Sequence, residues 1–477
     1  VTAGHEPLLG VGGLRMPAWT AALPRPRWRF GAAAGRAAIA TLIVGTFAVV
    51  LVAASGPSVL VPRSTVVYPS WDAGPLHTLI PLVTHNPKTM GIAYSIVLVL
   101  MFGAYAVAMA SVRALSMRLI VGAIIALELI LLLSPPLQLN DVFNYLGYGR
   151  LGGLHHLNPY THVIKQEFFD PVFRFSSWHN LRSPYGSLFI AITYPLAFLP
   201  LSVAYWILKV ITVALSLGFL ALVWQCARKL GRDPRYALVF VALNPIYLLY
   251  AVGGFHNDFF MLVPSMGAIA LLLAGRDRAA GAMVVLAIAV KFTAVLLLPF
   301  LLIAALTRPR RVRMLVGAAL AAVPMIILSL ALFGLSIPNL SDQSALLTDF
   351  SLPNVAGLLI GVGGGTPGLL RVATVAVVIV VGYQVYRRRD WLSGAGWSTF
   401  ALIASLAWLV PWYIIWLLPL AALAGNVALR RTALVFTAYL IFAFMPATGL
   451  YFSAHGIDLL GSSVGQASKS HQDKLSG

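Results

Sequence analysis

The chain has 477 residues, of which 60% are hydrophobic and only 10% charged, with a mean hydropathy of +0.88. A soluble globule, in which about a quarter of residues carry charge, is thereby excluded. The net charge of +19 sits in short basic clusters between apolar runs, which reads as a membrane-topology signal and not as a nucleic-acid-binding stripe. The single Cys226 excludes an intramolecular disulfide and any cysteine-based metal cage.

An all-α polytopic membrane protein is therefore expected. Residues 1–36 carry Arg15, Arg25, Arg27, Arg29 and Arg36 among prolines and read as a basic cytoplasmic arm. At about 20 residues per crossing, apolar runs predict spans at 37–54, 91–110, 119–134, 201–227, 237–253, 259–275, 314–334, 368–386, 394–410, 412–428 and 432–448. Residues 188–200 are too short to cross and read as an interfacial helix. Residues 279–306 are too long for one span yet have basic flanks, Arg278 and Arg308, so a pair of short helices turning near Lys291 and Pro299 is expected. The total is about 13 membrane segments, some of them re-entrant. Every basic loop then falls on the cytoplasmic side, and loops 55–90, 134–188 and 336–367 face outward as a structured cap. Residues 37–450 read as one transmembrane catalytic domain and 451–477 as a polar tail, with Ser462–Gly477 left outside the fold. No repeat of fixed period is evident.

Chemistry is concentrated between Ser134 and Tyr185, a polar stretch holding Asn140, Asp141, Tyr145, Arg150, His155, His156, Asn158 and Tyr160. With only 14 acidic residues in the chain, Asp141 directly after an apolar helix is the leading candidate for a catalytic base, with an N-cap of the next helix as the plainer role. Tyr145 lies one helical turn beyond it and can orient the carboxylate, a sugar or simply the membrane interface. His155, His156 and His162 lack any familiar ligand spacing, so no metal is expected. Asn158-Pro159-Tyr160 reads as a turn whose Asn158 can meet a sugar hydroxyl. Glu128, Lys209 and Lys291 fall within apolar stretches and each needs a partner or a cavity. Trp412, Tyr413 and Trp416 fit either an interfacial aromatic belt or a groove for a lipid chain. The glycine run 361–365 follows no strand and reads as a turn.

The order of motifs carries a resemblance. Asn140-Asp141-Val142-Phe143-Asn144-Tyr145, followed by Gly153-Leu154-His155-His156-Leu157-Asn158-Pro159-Tyr160, resembles the D-V-Y-x-Y…G-L-N/D-P-Y element of actinobacterial polyprenol-phosphate-mannose-dependent mannosyltransferases of the GT-C superfamily. Ser183-Pro184-Tyr185-Gly186, Gly253-Gly254-Phe255-His256-Asn257-Asp258, Ala289-Val290-Lys291-Phe292-Thr293 and the aromatic segment Pro411–Pro419 extend it over most of residues 37–450. The resemblance implies a GT-C fold, a polyprenyl-phosphate sugar donor within the membrane lipid and a glycan or glycolipid acceptor at the outer face of the plasma membrane. Mannose is the implied sugar, with arabinose or glucose as alternatives, and no cofactor is needed. A lipid or solute transporter is the rival class.

Transfer from such a donor needs a base for the acceptor hydroxyl and cations for the departing phosphate, and direct displacement inverts the anomeric centre. The resemblance gives Lys291 to the phosphate; by residue type and position Arg182, His256 and Lys209 can add further donors, and Asn140, Tyr145, Arg150, Asn158, Tyr160 and Asp258 can meet the sugar or acceptor. Because many members of the superfamily carry their acid in the first external loop, Asp72 is the second candidate base.

Overall fold

The computed structural model describes residues 30–61, 68–81, 86–387 and 390–477. Most of the expected basic arm 1–36, including Arg15, Arg25, Arg27 and Arg29, lies outside the described residues. The described chain is helical, with no strand among the described residues. Among the described residues, six helices are long and apolar enough to cross a membrane: Ala32–Ala54, Pro87–Ala114, Leu201–Lys229, Arg308–Phe333, Pro367–Arg387 and Val427–Phe444. Shorter apolar helices lie among them. Helix 308–333 buries only Met314, Gly317 and Phe333, and helix 367–387 buries no residue, a pattern that suits faces solvated by lipid. The protein is a multi-pass membrane protein.

Local sequence chemistry sets the helix starts. Asn86 accepts from the amides of Lys88 and Thr89 at 2.9 and 3.3 Å ahead of Pro87. Asp233 caps the helix opened by Pro234, and Asn426 caps the helix Val427–Phe444.

The expected pair at 279–306 is present as a broken element. Helix Asp277–Val290 stops at Lys291, whose backbone is extended at φ −150° and ψ 116°, and a 3-10 turn, Phe292–Leu297, leads into helix Leu298–Ala304. Both ends of this element meet, because the buried Asp277 carboxylate pairs with Arg310 and Arg313, each at 2.8 Å. Helices 277–290 and 308–333 therefore start from the same end and pack along each other.

Two expectations need correction. The span foreseen at 237–253 is interrupted: helix Pro234–Ala242 ends before Pro245, which has no amide to donate, and the chain resumes as a π-helix over Tyr247–Val252. Residues 463–476 are not a tail. They form the helix Ser463–Ser476, capped by Ser462, with Gly465, Ser468 and Leu475 on its buried face. Leu475 joins a cluster with Leu181, Leu346, Trp178 and Trp408, and the Asn180 side chain donates to the Lys474 carbonyl at 2.8 Å. The stripe was hidden because small residues fill most of it.

The three long loops carry structure of their own. Loop 55–90 holds the short helix Ser70–Ala73, loop 134–188 holds helix Asp141–Gly153 and two 3-10 turns, and loop 336–367 holds helix Leu352–Leu359. The glycine run 361–365 is a turn with Gly361, Gly363 and Gly365 at positive φ.

Candidate active site

Four segments converge on one cluster, and the first is the entry to helix Asp141–Gly153. The Leu137 amide donates to the Gly253 carbonyl at 2.9 Å and the Gln138 amide to the Leu60 carbonyl at 3.0 Å, so this run is tied to two other segments before the helix begins. The Asn140 side chain donates to the Phe175 carbonyl. Asp141 is the first helical residue, 8% exposed, and its carboxylate accepts no capping hydrogen bond. Its oxygens remain available to a substrate, at the helix end whose dipole favours negative charge.

The second segment is the turn after the π-helix. Gly254 is packed so closely that a Cβ there would lie 2.5 Å from both the His256 Nε2 and the Tyr250 carbonyl oxygen, and Phe255 sits at φ 51°, a strained value for an aromatic residue. The turn delivers His256, Asn257 and Asp258 side by side. His256 Nδ1 lies 3.4 Å from Asp141 Oδ2, at an angle that makes no hydrogen bond. Asn257 Nδ2 and Asp258 Oδ2 are buried and unpartnered.

The third and fourth segments supply a cation and an aromatic wall. Lys291 Nζ, at the break in its helix, meets Asp258 Oδ1 at 2.8 Å. The Lys291 side chain is 17% exposed while that of Asp258 is 1% exposed, so the ammonium looks outward from a buried anchor. The 3-10 turn Pro411–Tyr413 and helix Ile414–Leu423 bring Trp412 flat onto His256, with centroids 3.7 Å apart at 9°, and place Tyr413 and Trp416 each 4.8 Å from Lys291 Nζ. Trp416 Nε1 donates to Asp258 Oδ1 at 2.6 Å.

Tyr145 lies between these groups. Its hydroxyl accepts from the Asn257 amide at 3.3 Å and its ring meets Tyr185 and Phe189 edge-on. Burial, then the Asp141 and Asp258 carboxylates, push its pKa well above the ordinary tyrosine value, so it stays protonated and able to donate. Gly186 donates its amide to the Val290 carbonyl at 3.0 Å, and a Cβ there would lie 2.1 Å from the Ala289 carbonyl oxygen. The Tyr185 turn is thus pressed against the residues before Lys291.

Asp141, Tyr145, His256, Asp258, Lys291, Trp412 and Tyr413 are brought together. Trp412 and Tyr413, expected along a lipid groove, stand against the polar groups. Other residues are engaged elsewhere. Arg150 Nε binds both oxygens of Asp170 at 2.8 Å and its Nη1 donates to the Ala197 carbonyl. Asn158 Nδ2 donates to the Phe333 carbonyl, and the Tyr160 hydroxyl donates to the Tyr185 carbonyl. Lys209 is fully buried with its Nζ on the Ser134 carbonyl, away from solvent. Arg182 is exposed. Asn257 and Tyr185 joined the site without an assigned role, and the signals were the motif positions beside His256 and Gly186; Trp416, read with Trp412 and Tyr413 as groove or interface, instead donates to Asp258. No group of three metal-ligating side chains occurs among the described residues.

This constellation offers a free carboxylate, a neighbouring imidazole and a half-sheltered ammonium, which suits proton removal beside an anion. Residues 42–307 match the family described as alpha-(1->6)-mannopyranosyltransferase, N-terminal domain, and residues 184–446 match glycosyltransferase family 87. The chain is 28% identical over 341 residues to alpha-(1->6)-mannopyranosyltransferase A of Mycobacterium tuberculosis, covering 63% of this chain and 64% of that protein. It is 24% identical over 396 residues to alpha-(1->6)-mannopyranosyltransferase B of Corynebacterium glutamicum, covering 70% and 64%. The matched regions span less than two thirds of the length of these relatives. No solved structure matches the chain. The match across more than half of the sequence, together with the convergence of its motifs, makes the chain a member of the alpha-(1->6)-mannopyranosyltransferase family.

Proposed function

We propose that the protein is a GT-C-type membrane glycosyltransferase that moves mannose from a polyprenyl-phosphate donor to a hydroxyl of a glycan or glycolipid, at the outer face of the plasma membrane. The observation that carries this reading is the approach of His256 to Asp141 at 3.4 Å beside the Lys291–Asp258 pair.

In this reading Asp141 takes the acceptor proton as the acceptor oxygen attacks the anomeric carbon from the face opposite the phosphate. The bond to phosphate breaks in the same displacement, the phosphate leaves as an anion, and the configuration inverts. Lys291 and His256 hold the departing charge, Asp258 and Trp416 hold Lys291, and Arg182 at the rim adds a further cation. Tyr145 donates to the sugar or to Asp141. An apolar slot lined by Met261, Ile269, Leu297, Leu402, Trp416 and Leu420 borders this cluster and suits isoprenoid units. The short broken helices count with the long ones toward about 13 membrane segments, and the polar face built from the loops is read as the outer one.

The test is transfer by the purified protein from a synthetic polyprenyl-phosphate mannose to a mannoside acceptor, without nucleotide or added divalent metal. Product with mannose, and none with arabinose or glucose donors, supports the reading. Absence of product from all three donors sinks it.

A further inference from the structure

Two ionisable side chains are sealed in the interior outside the cluster just described. Asp72 and Lys209 are both 0% exposed. Asp72 belongs to the short helix Ser70–Ala73, which is held from below by helix Leu201–Lys229: the Tyr205 hydroxyl donates to the Asp72 backbone carbonyl and Trp206 Nε1 to the Trp71 carbonyl, both at 2.7 Å. Neither carboxylate oxygen of Asp72 has a hydrogen-bond partner. The rings of the same Tyr205 and Trp206 also face Lys209 Nζ.

The acid of the first loop is therefore enclosed. No acceptor hydroxyl reaches a carboxylate without solvent access, whereas Asp141 keeps some. Lys209 Nζ donates to the Ser134 carbonyl at 2.7 Å and stands over the Phe255 ring, 4.8 Å from its centroid. It also faces Tyr205 and Trp206 at 4.7 and 3.9 Å. Ser134 opens the run that ends at Asp141. Phe255, in its strained conformation, directly precedes His256. The same two segments are laced by the Leu137 amide and Gly253 carbonyl, and Gln138 between them also adopts a positive φ of 68°.

We infer that Lys209 is a positioning residue: Tyr205 and Trp206, which hold the first loop's helix, also face its amine, and that amine, through Ser134 and Phe255, sets the spacing of Asp141 and His256. The role in transfer rests on the function proposed above, while the placement of the two segments does not.

The experiment compares the full-length protein with the double variant Asp72→Asn/Lys209→Met, which removes both ionisable groups together, with Asp72→Asn alone, and with Phe255→Leu, which keeps Lys209 and removes the ring. Thermal midpoint, kcat, KM for the lipid donor, and amide exchange across 134–141 and 253–258 are measured for each. In the double variant and in Phe255→Leu kcat should fall about 10-fold or more, because small misplacements of reacting groups are costly. KM should stay within about twofold, since Lys291 and Asp258 remain paired. Exchange should rise in the two segments and not across 87–111. Wild-type kcat and wild-type protection in Phe255→Leu would overturn the proposal even if the double variant fails to fold. Loss of transfer in Asp72→Asn with unchanged exchange would overturn it in favour of Asp72 as the base. If the unaltered protein transfers nothing, the functional reading fails, and the exchange measurements still decide the positional one.

Discussion

The Trp416 indole donates to Asp258 Oδ1 at 2.6 Å, the same oxygen that takes the Lys291 ammonium at 2.8 Å. By sharing that oxygen, Trp416 keeps Lys291 from being the sole partner of a buried carboxylate and, on the proposed function, leaves more of its charge for a phosphate. Trp416→Phe retains the ring and removes the donor. The expected result is a rise in KM for the lipid donor of about 10-fold, the size of one hydrogen bond to a charged group, with a smaller change in kcat. Steady-state kinetics at saturating acceptor measure both.

Asp141→Asn is isosteric and leaves every backbone hydrogen bond of its helix in place. It should lower kcat by about 100-fold or more, as expected for loss of a base, while the thermal midpoint stays near that of the unaltered protein. An active Asp141→Asn enzyme would remove the carboxylate from the mechanism.

Gly254→Ala places a methyl group where only 2.5 Å separates it from the His256 ring and from the Tyr250 carbonyl. Either the imidazole or the π-helix must shift. A loss of transfer of about 10- to 100-fold is expected. Gly267→Ala, where the nearest atom to a new Cβ is 3.8 Å away, is the comparison and should be nearly silent.

Acid should loosen the Arg150–Asp170 junction. Burial alone would raise the Asp170 pKa, but hydrogen bonds from His155, the Val172 amide and Arg150 hold it below the usual carboxylate range. A depressed folded-state pKa contributes stability above the unfolded value, near pH 4, and that stability is lost as the pH falls through the folded value. Asp170→Asn should lower stability at neutral pH and reduce its fall in acid, which melting curves from about pH 6 down to about pH 3 would register.

The meeting of Asp277 with Arg310 and Arg313 should hold the two ends of the broken element together. Asp277→Ala is expected to cost about 3 kcal/mol, in the range for removing one partner of a buried ion pair. Arg313→Ala, whose side chain is 48% exposed, should cost under about 1 kcal/mol. Thermal melts in detergent compare them.

The sequence disclosed some of this and concealed the rest for identifiable reasons. The break at Lys291 was legible because basic residues flank both ends of an over-long apolar run, and topology leaves few ways to satisfy that. The place of Asp141 in the cluster was legible because an acid beside an apolar helix is rare in this chain. The roles of Arg150, Asn158 and Tyr160 were not, because their residue types suit sugars as well as the internal partners Asp170, Phe333 and Tyr185 that they meet. The π-helix over Tyr247–Val252 leaves no periodic trace in so short a segment, and the 463–476 helix hides its buried face behind glycine and serine.

That last helix also orders events during synthesis. Asn180 bonds to Lys474, a partner 294 residues further along, so the contact must wait until every intervening segment has left the ribosome. Until then Trp178, Leu181 and Leu346 lack the Leu475 side chain that completes their cluster. A nascent chain arrested before residue 463 can have its helices inserted and its Asp141 and His256 segments laced, yet hold an unfinished roof. Docking of this helix would then be a step of maturation separable in time from membrane insertion.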